Sequence, residues 1–252
     1  MNIKVGIIVQ ARLCSSRLPS KVLSCPQNLS MSLLEIGFSR LSRSKYSDSV
    51  VYAIPDNEPD LADYLSKKNI VFFKGHPTDV MNRYLTCASA YGFDIIVRIT
   101  ADCPLVDPLL IDQFVDEFIA TSHPFSSESY LSNYTPPETS TFCNGSDIEI
   151  FRVSSLEKFF TLNPSSLYRE HVTFQFWDGT YSVAHIHKHY HGGADLSRMR
   201  ITVDYQDDLD MLAILSDNVD IINSSFDDII FAYFSQELYL VNGRHGSRDG
   251  WV

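Results

Sequence analysis

The sequence lacks several patterns that would place the protein in a familiar class. Its 252 residues contain no G-x-x-x-x-G-K-[ST] motif, which excludes a P-loop nucleotide site. The five cysteines are odd in number and show no C-x-x-C spacing, so neither a disulfide framework nor a cysteine-type zinc site is expected. No run approaches about 18 apolar residues, and the chain opens directly into an apolar strand pattern without a basic leader. We therefore expect a soluble, cytoplasmic protein.

Positive charge is scarce as well. The chain has 20 lysine and arginine residues against 31 aspartate and glutamate residues, a formal net charge of −11. This balance argues against a broad surface for nucleic acid or anionic membranes, so we expect neither as a partner. Because salt screens surface charge within about 8 Å, a few clustered cations can still bind an anionic ligand locally.

Strand and helix patterns alternate along the first half of the chain. Asp107 followed by Pro108 is the clearest helix start, and Thr78 is the predicted cap of the preceding helix. The predicted strands are 3–9, 50–54, 70–73 and 94–99, and the predicted helices include 33–43, 59–68 and 109–119. Repeated βα units of this kind predict an α/β fold with a Rossmann-like, mainly parallel and doubly wound sheet.

The composition changes between residues 123 and 144, which are rich in Ser, Thr, Tyr, Pro and Asn. Pro136-Pro137 forbids a regular helix, so the stretch predicts a long excursion from the sheet, and we assign 123–150 to acceptor binding or dimer contact. Its aromatic residues are typical of interface cores, and we expect a homodimer. Within a single domain, 1–252, we further predict strands 147–153, 181–187 and 199–203, helices 154–160, 168–176, 207–215 and 227–234, and a loosely held tail, 243–252.

The residues best suited to chemistry begin in the loop that follows the opening strand. Arg12, Arg17 and Lys21 occur there among serines that include Ser15 and Ser16. Arginine binds phosphate oxygens in pairs, lysine adds a point charge, and small residues let backbone N–H groups approach a ligand. The loop leaves the carboxyl end of a buried strand, where open α/β sheets bind their ligands. A triphosphate site and a solvated basic turn both fit this pattern.

Two predicted strands end in the pattern Thr-x-Asp, at Asp102 and at Asp204. If these strands are parallel neighbours, both carboxylates lie at one edge of the sheet. Mg2+ prefers hard oxygen ligands and needs only one or two protein carboxylates. The two aspartates are therefore a candidate site for a magnesium ion that bridges phosphate groups. The alternatives are that Asp102 caps the following turn and that Asp204 caps its own helix.

Other polar patterns are less specific. Arg98 interrupts an otherwise apolar strand. The alternating histidines of 185–191 favour a solvated or partner-facing strand over a zinc site, because same-face side chains of one strand rarely converge. Arg169-Glu170-His171 is either a charged helix start or an exposed first turn. A nucleophilic role for Cys103 is not favoured, since no base is tied to it in the sequence.

Taken in order, these residues resemble the sugar-acid cytidylyltransferases, most of all their spore-coat polysaccharide biosynthesis protein F branch. The opening match runs from Gln10-Ala11-Arg12 through Ser15-Ser16-Arg17-Leu18-Pro19-Ser20-Lys21. The further matches cover nearly the whole chain and are 79–84, 97–108, 132–133, 145–151, 169–173 and 200–204.

The resemblance implies a glycosyltransferase-A-like sheet and transfer of CMP from CTP to a hydroxyl of a sugar acid or related sugar. Pyrophosphate would be released, and the product would serve cell-surface polysaccharide synthesis. The implied cofactor is Mg2+, held by Asp102 and Asp204. The implied site residues fall into three groups: Arg12, Arg17 and Lys21 hold the triphosphate and are catalytic; Ala11, Ser15, Ser16, Arg83 and Arg98 complete the nucleotide site; and Asn133, Glu149, Arg169, Glu170 and His171 line the acceptor side.

Three residues depart from that branch. Cys14, Ser20 and Ala101 stand where it usually has glycine, and residues 24–32 lack its usual Gly-Lys-Pro turn. A Cβ atom at such positions restricts the backbone angles of the loop. Two other functions fit the same fold. One is a glycosyltransferase that uses a nucleotide sugar, but residues 100–104 lack the Asp-x-Asp pair expected of it. The other is a nucleotide-binding or assembly subunit without catalysis.

Overall fold

A computed structural model describes residues 3–121, 129–136 and 139–245. Within these ranges, seven strands form one sheet in the order β3-β2-β1-β4-β6-β5-β7. The strands are β1 (Val5–Gln10), β2 (Val50–Pro55), β3 (Phe72–Gly75), β4 (Ile95–Thr100), β5 (Ser129–Ser132), β6 (Glu149–Arg152) and β7 (Ala184–His187).

Most neighbouring strands are parallel. β1 pairs in parallel with β2 and β4, β2 pairs with β3, and β5 pairs with β7. β6 is antiparallel to both β4 and β5. Ile7 and Ile8 of β1 are fully buried in separate cores on the two faces of the sheet, as expected of a central parallel strand. The predicted α/β fold with a mainly parallel, doubly wound sheet is confirmed.

Helices cover both faces of this sheet. In the described ranges they are α1 (Leu33–Leu41), α2 (Pro59–Lys67), α3 (Val80–Tyr91), α4 (Pro108–Thr121), α5 (Val153–Thr161), α6 (Ser166–His171), α7 (Phe174–Trp177), α8 (Gln206–Ser216), α9 (Phe226–Ser235) and α10 (Tyr239–Asn242). Helices α1, α2, α4, α8 and α9 pack on the face of Ile7, and α3, α5 and α7 pack on the face of Ile8. None of these helices has the length and apolar character needed to cross a membrane.

The helix starts agree with the sequence patterns except at two places. Asp107 caps α4, since its Oδ1 accepts from the backbone N–H of Leu109 at 2.7 Å, as predicted. The cap of α3 is Asp79 rather than Thr78, because the Asp79 carboxylate accepts from the N–H three residues on. The predicted helix 168–176 is interrupted at Val172, whose φ of 64° is incompatible with a continuous helix, and α6 and α7 replace it.

The polar stretch 123–144 does not lie wholly outside the sheet. β5 is paired on both sides, with β6 and with β7, so the predicted excursion is wrong for 129–132. Tyr130, Tyr134 and Phe142 are at most 5% exposed and pack within the chain's own interior. These aromatic side chains are therefore not available to a partner, and the homodimer stays a prediction. Residues 122–128 and 137–138 lie outside the described ranges.

The segment predicted as strand 199–203 is extended but does not join the sheet. In the described structure it makes one isolated parallel bridge, between Arg200 and Asn144. The Val203 N–H also donates to the carbonyl of Asp102 at 2.8 Å. This bond holds the segment against the end of β4, so Asp204 reaches the carboxyl edge of the sheet without following a sheet strand.

The first residues of the predicted tail are ordered against α8. His245 Nε2 lies 3.1 Å from Asp207 Oδ2, and its ring stacks on Tyr205 with 3.8 Å between centroids. His245 thus contacts the start of α8, and the loosely held tail stays a prediction. The remaining residues of that prediction, 246–252, lie outside the described ranges.

Candidate active site

The loop after β1 folds back on itself at the carboxyl edge of the sheet. The Ser20 N–H donates to the carbonyl of Leu13 at 3.1 Å, and the Lys21 N–H donates to that of Leu18 at 3.2 Å. Glu58, just before α2, accepts from the Leu13 N–H at 2.9 and 3.1 Å. These bonds close the loop and turn the Lys21 side chain inwards, where it is 10% exposed.

Lys21 joins the two carboxylates that the sequence predicts to meet at this edge. Its Nζ lies 2.7 Å from Oδ2 of Asp102 and 2.7 Å from Oδ1 of Asp204. Arg17 Nη2 lies 2.7 Å from the same Asp204 oxygen. The two carboxylates therefore do converge, although only Asp102 follows a sheet strand.

Asp204 is supported from behind by a second ionic pair. Arg200 Nη2 lies 2.9 Å from Asp204 Oδ2, and Arg200 Nε lies 2.9 Å from Asp208 Oδ1. The other Asp208 oxygen accepts from the N–H groups of Asp204 and Tyr205, which caps α8. The interpretation of Asp204 as a helix cap is therefore wrong, because Asp208 does the capping and Asp204 points to Arg17 and Lys21.

The pKa values of Lys21 and Asp102 are shifted in opposite directions by their contact. Burial raises the pKa of Asp102, but the Lys21 ammonium more than offsets this and the pKa falls to about 2. Burial alone would lower the pKa of Lys21, yet Asp102 and Asp204 together raise it above its ordinary value. Lys21 and Asp102 therefore form an ion pair at neutral pH, and the Lys21 ammonium also contacts the Asp204 carboxylate.

A cleft of about 1050 Å3 opens over this network. Its wall contains most of the predicted nucleotide site together with two acceptor residues: Ala11, Arg12, Ser15, Ser16, Arg17, Lys21, Arg98, Asp102, Glu170 and His171. The exposed Arg12 guanidinium makes no ion pair or hydrogen bond with the described residues. Arg12 is therefore an uncompensated cation in the cleft wall, available to an anionic ligand.

A second chamber of about 140 Å3 shares Arg17, Arg98, Asp102 and His171 with the cleft. We call this cavity the second chamber. The side chains that line it but do not line the cleft are Cys103, Asn144, Asp147, Glu149, Thr202 and Asp204. Its Arg98 is paired with Glu149, whose side chain is 2% exposed. Glu149 also accepts from the hydroxyl of Tyr130, so the pair is anchored in the sheet.

Asp147 and Arg98 of the second chamber each have one buried side-chain atom, Oδ1 and Nε respectively, without a hydrogen-bond partner in the described structure. Asp147 Oδ2 accepts from the Gly145 N–H at 3.1 Å and from the Cys103 thiol at 3.4 Å. Its Oδ1 is shielded from solvent and has no hydrogen-bond partner within the described structure. Burial raises the pKa of Asp147 to about 7. Burial likewise raises the pKa of Cys103, which keeps the thiol protonated and agrees with its exclusion as a nucleophile.

Asn133 has a different place from the one predicted. It is fully buried, its amide nitrogen donates to the Ser146 carbonyl at 2.8 Å, and its amide oxygen accepts from the Ile148 N–H at 2.8 Å. Both ends of the amide are thus used to hold the segment before β6. Asn133 lines neither the cleft nor the second chamber, which corrects its assignment to the acceptor side.

Arg83 and Arg169 also lie outside the cleft lining. Arg83 is fully buried and donates to the carbonyl of His76 at 2.5 Å. Arg169 pairs with Asp79 and stacks over the ring of Phe160, with 4.6 Å to the centroid. The Arg169–Asp79 pair joins α6 to the start of α3, and Arg83 holds the turn before α3, so the structure gives both arginines a supporting position outside the cleft.

His171 does face the cleft from the end of α6. Its ring stacks on Phe174 with 4.2 Å between centroids, and burial lowers its pKa below the ordinary value. The imidazole is therefore neutral at pH 7 and can act as a hydrogen-bonding group, not as a cation for phosphate.

The histidines of 185–191 do not form a metal site. His185 Nε2 lies 2.8 Å from the Ser132 hydroxyl, and His187 Nδ1 lies 3.2 Å from the Thr135 carbonyl. No group of three or more His, Cys, Asp or Glu side chains among the described residues is arranged to hold a metal ion by itself. Since His185 and His187 bond to β5 and the turn after it, the expectation of a solvated or partner-facing strand is wrong for these two residues.

Of the three residues that stand where the related branch usually has glycine, Ser20 has the backbone conformation that favours glycine. Its φ of 55° and ψ of 23° lie in the left-handed region that glycine adopts most readily. Cys14 and Ala101 have no such backbone, so a side chain is compatible with the conformation there. The loop therefore keeps a glycine-type turn at Ser20 with a residue that bears a Cβ atom.

Replacing Ser20 by glycine is expected to raise the free energy of unfolding by up to about 1 kcal/mol. The relief of left-handed strain, about 1–2 kcal/mol, exceeds the extra freedom of glycine in the unfolded chain. The matched control is Ser16→Gly in the same loop, where φ is not positive and stability should fall by up to about 1 kcal/mol. Urea unfolding of both variants measures the difference, and equal losses would contradict the assigned strain.

Sequence reasoning missed three side chains at this site. Glu58 anchors the loop through Leu13, Gln10 places a buried and unpartnered Oε1 in the cleft wall, and Asp147 faces the second chamber. Gln10 and Asp147 belong to segments that resemble the family, but neither has a spacing that predicts chemistry. Only their burial without a partner distinguishes them.

The sheet, with its cationic loop at the carboxyl edge, defines the class as a nucleotidyltransferase of Rossmann-like fold. A solved cytidylyltransferase from Leptospira borgpetersenii shares this fold with a TM-score of 0.84, at 31% identity over 96% of this chain and 98% of the other. A CMP:2-keto-3-deoxy-manno-octonic acid synthetase complexed with CTP superposes with a TM-score of 0.62 over 85% of this chain and 98% of the other. At 14% identity this second likeness shows the fold alone.

The chain belongs to the cytidylyltransferase family, whose sequence profile matches residues 6–210. The spore coat polysaccharide biosynthesis protein SpsF of Bacillus subtilis is 32% identical over 173 residues, 66% of this chain and 67% of that protein. The uncharacterized protein MJ1063 of Methanocaldococcus jannaschii is 31% identical over 172 residues, 68% of this chain and 65% of that protein. The family that the motifs indicate is thereby confirmed.

Proposed function

We propose that this protein transfers CMP from CTP to a hydroxyl group of a sugar-type acceptor and releases pyrophosphate. The observation that carries the proposal is the ionic network of Arg17, Lys21, Asp102 and Asp204, because its first three members line a cleft whose wall also holds the unpaired Arg12. Membership of the cytidylyltransferase family supports CTP as the nucleotide. The name of the Bacillus subtilis relative supports a role in polysaccharide synthesis.

The cations of the loop suit a triphosphate. Arg12 and Arg17 offer guanidinium groups that can each bind two oxygens, and Lys21 is a point charge on a side chain able to exchange partners. In this structure Arg17 and Lys21 are compensated by carboxylates. A triphosphate that brings its own metal ion to those carboxylates would let both cations turn to phosphate oxygens, because the metal ion would take over the compensation of the carboxylates.

Magnesium fits the donor chemistry at Asp102 and Asp204. One oxygen of each carboxylate lies 2.7 Å from a single cation, the Lys21 ammonium, so the two oxygens already converge on one positive charge. Hard oxygen donors in this number are what Mg2+ takes from proteins when phosphates supply further ligands. Bound there, the ion would neutralise charge on phosphate and lower the pKa of the acceptor hydroxyl.

The chain's own residues contribute position and charge. Arg17 and Lys21 would stabilise the negative charge that builds up on the phosphoryl oxygens and the leaving pyrophosphate, and preorganised donors of this kind act mainly by electrostatic stabilisation. Arg200 and Asp208 hold Asp204 in place, so its carboxylate does not have to be ordered during the reaction. Holding the acceptor hydroxyl in line with the α-phosphorus of CTP would supply the rest of the rate enhancement.

A pyrophosphate-release assay tests the proposal. The protein is incubated with Mg2+, with CTP, UTP, ATP or GTP in turn, and with a panel of neutral, amino and acidic sugars. We expect release with CTP only, together with a CMP-sugar detected by mass spectrometry. A nucleoside diphosphate produced from a nucleotide sugar would instead identify a glycosyltransferase. Absence of both turnover and calorimetric CTP binding would favour a non-catalytic assembly subunit.

A further inference from the structure

The Lys21 ammonium occupies the point at which two carboxylates of the candidate active site converge. Its Nζ lies 2.7 Å from Oδ2 of Asp102 and 2.7 Å from Oδ1 of Asp204. The lysine side chain is 10% exposed, so the ammonium is held inside the network and not at its surface. A metal ion ligated by the same two oxygens would need the same position, and two like charges repel each other strongly there. The ammonium and a metal ion therefore compete for Asp102 and Asp204.

Both lone pairs of Asp204 Oδ1 are already in use. This oxygen accepts from Lys21 Nζ and from Arg17 Nη2, each at 2.7 Å, and a carboxylate oxygen has two lone pairs. The other oxygen, Oδ2, accepts from Arg200, whose buried guanidinium is also bound to Asp208. Since Arg200 keeps the carboxylate from rotating, a metal ion can bind Oδ1 only after Lys21 or Arg17 has left it.

The two carboxylates give a metal ion only part of its ligand set. Among the residues that the structure describes, no group of three or more His, Cys, Asp or Glu side chains is arranged to hold a metal ion. Mg2+ takes an octahedral set of oxygen ligands, so phosphate and water oxygens have to supply the remainder. Phosphate oxygens are also the partners that Lys21 and Arg17 need once they leave Asp204. A triphosphate therefore provides both the missing metal ligands and the new partners of the displaced cations.

We infer that Lys21 holds the metal position as an internal counter-ion and leaves it only when a triphosphate binds, so that the metal ion and CTP bind as a coupled pair. The inference rests on the proposed function, because it takes the triphosphate of CTP as the anion that receives the ammonium. Each ligand then strengthens the binding of the other by the same factor, since coupling between two binding sites is reciprocal.

Metal binding without nucleotide tests the inference independently of turnover. The unchanged protein, Lys21→Met and Lys45→Met are titrated with Mn2+, and the free ion is followed by electron paramagnetic resonance. We expect Lys21→Met to bind Mn2+ at least about 10-fold more tightly than the unchanged protein, because methionine keeps the length of the side chain and removes the competing charge. Lys45 pairs with the exposed Asp116 outside the cleft lining, so Lys45→Met should bind as the unchanged protein does. Equal or weaker binding by folded Lys21→Met overturns the inference.

Two further variants locate the gain and allow for misfolding. The double variant Lys21→Met with Asp102→Asn should lose the gain, since one of the two metal ligands is gone. A gain that persists in it places the metal ion elsewhere and overturns the inference. Thermal unfolding shows which variants fold. If Lys21→Met does not fold, Lys21→Gln takes its place with the same expectation, because its neutral amide can still donate to one of the carboxylates.

The coupling is measured on the unchanged protein with the unreactive α,β-methylene analogue of CTP. We expect Mn2+ to bind at least about 10-fold more tightly in the presence of the analogue than in its absence. Equal affinity in both conditions overturns the inference. If the analogue itself does not bind, the proposed function fails and the coupling fails with it. If sugars are turned over with CTP but Lys21→Met gains no metal affinity, only the inference fails, which separates the two results.

Discussion

Arg17→Ala is expected to lower kcat by a factor on the order of 10²–10³, because it removes one preorganised cation from the phosphate site. Arg17 Nη2 lies 2.7 Å from Asp204, and its guanidinium stands 5.3 Å from the centroid of the Tyr205 ring. These contacts hold the group in position without burying it, since the side chain is 29% exposed. The loss should therefore appear in turnover far more than in stability.

The measurement is steady-state turnover with CTP and the accepted sugar. Arg43→Ala is a suitable control, because Arg43 is an exposed arginine that contacts only a backbone carbonyl among its described neighbours and lies outside the cleft. That variant should retain near-normal kcat. A near-normal kcat for Arg17→Ala as well would remove Arg17 from the catalytic assignment.

Asp102→Asn is expected to abolish most magnesium-dependent turnover, by a factor on the order of 10² or more. A neutral amide is a poor ligand for Mg2+ and cannot balance the Lys21 ammonium, whose Nζ lies 2.7 Å from the present carboxylate. Asp204 still pairs with Lys21 in the variant, so the fold should survive with a loss of about 1–2 kcal/mol in the free energy of unfolding.

A titration of turnover against magnesium concentration tests this assignment, with thermal unfolding as the check on the fold. Asp116→Asn provides the matched control, because Asp116 is an exposed aspartate on α4 that pairs with Lys45 away from the cleft. Its magnesium dependence should equal that of the unchanged protein. An unchanged dependence in Asp102→Asn would show that Asp102 does not hold the metal.

Local sequence patterns predicted much of the candidate active site. Arg12, Arg17 and Lys21 stand after an apolar strand, and strand, loop and cations occur together in the structure because all of them lie within about 20 residues of chain. Asp102 follows β4 directly, and parallel strands bring their carboxyl ends to one edge. Such features depend on periodicity and on neighbours in the chain, both of which the sequence displays.

Features that depend on distant segments were predicted less well. The segment 199–203 has the composition of a strand but is held by Asn144 and Asp102 beside the sheet. Asn133, Arg83 and Arg169 match the family motifs, yet each side chain lies outside the cleft lining and bonds to a neighbouring carbonyl or carboxylate there. A motif specifies the residue type, whereas the direction of its side chain depends on the packing around it.

The sequence by itself determined the α/β sheet, the family and the cationic loop, because apolar periodicity, helix caps and the spacing of charges are local properties. Tertiary structure alone decided how those charges are compensated. It brought Lys21 between Asp102 and Asp204, paired Arg98 with Glu149, and left one oxygen of Asp147 buried without a donor. These ion pairs join residues from 51 to 183 positions apart, and burial makes each electrostatic pairing depend on its neighbours in space.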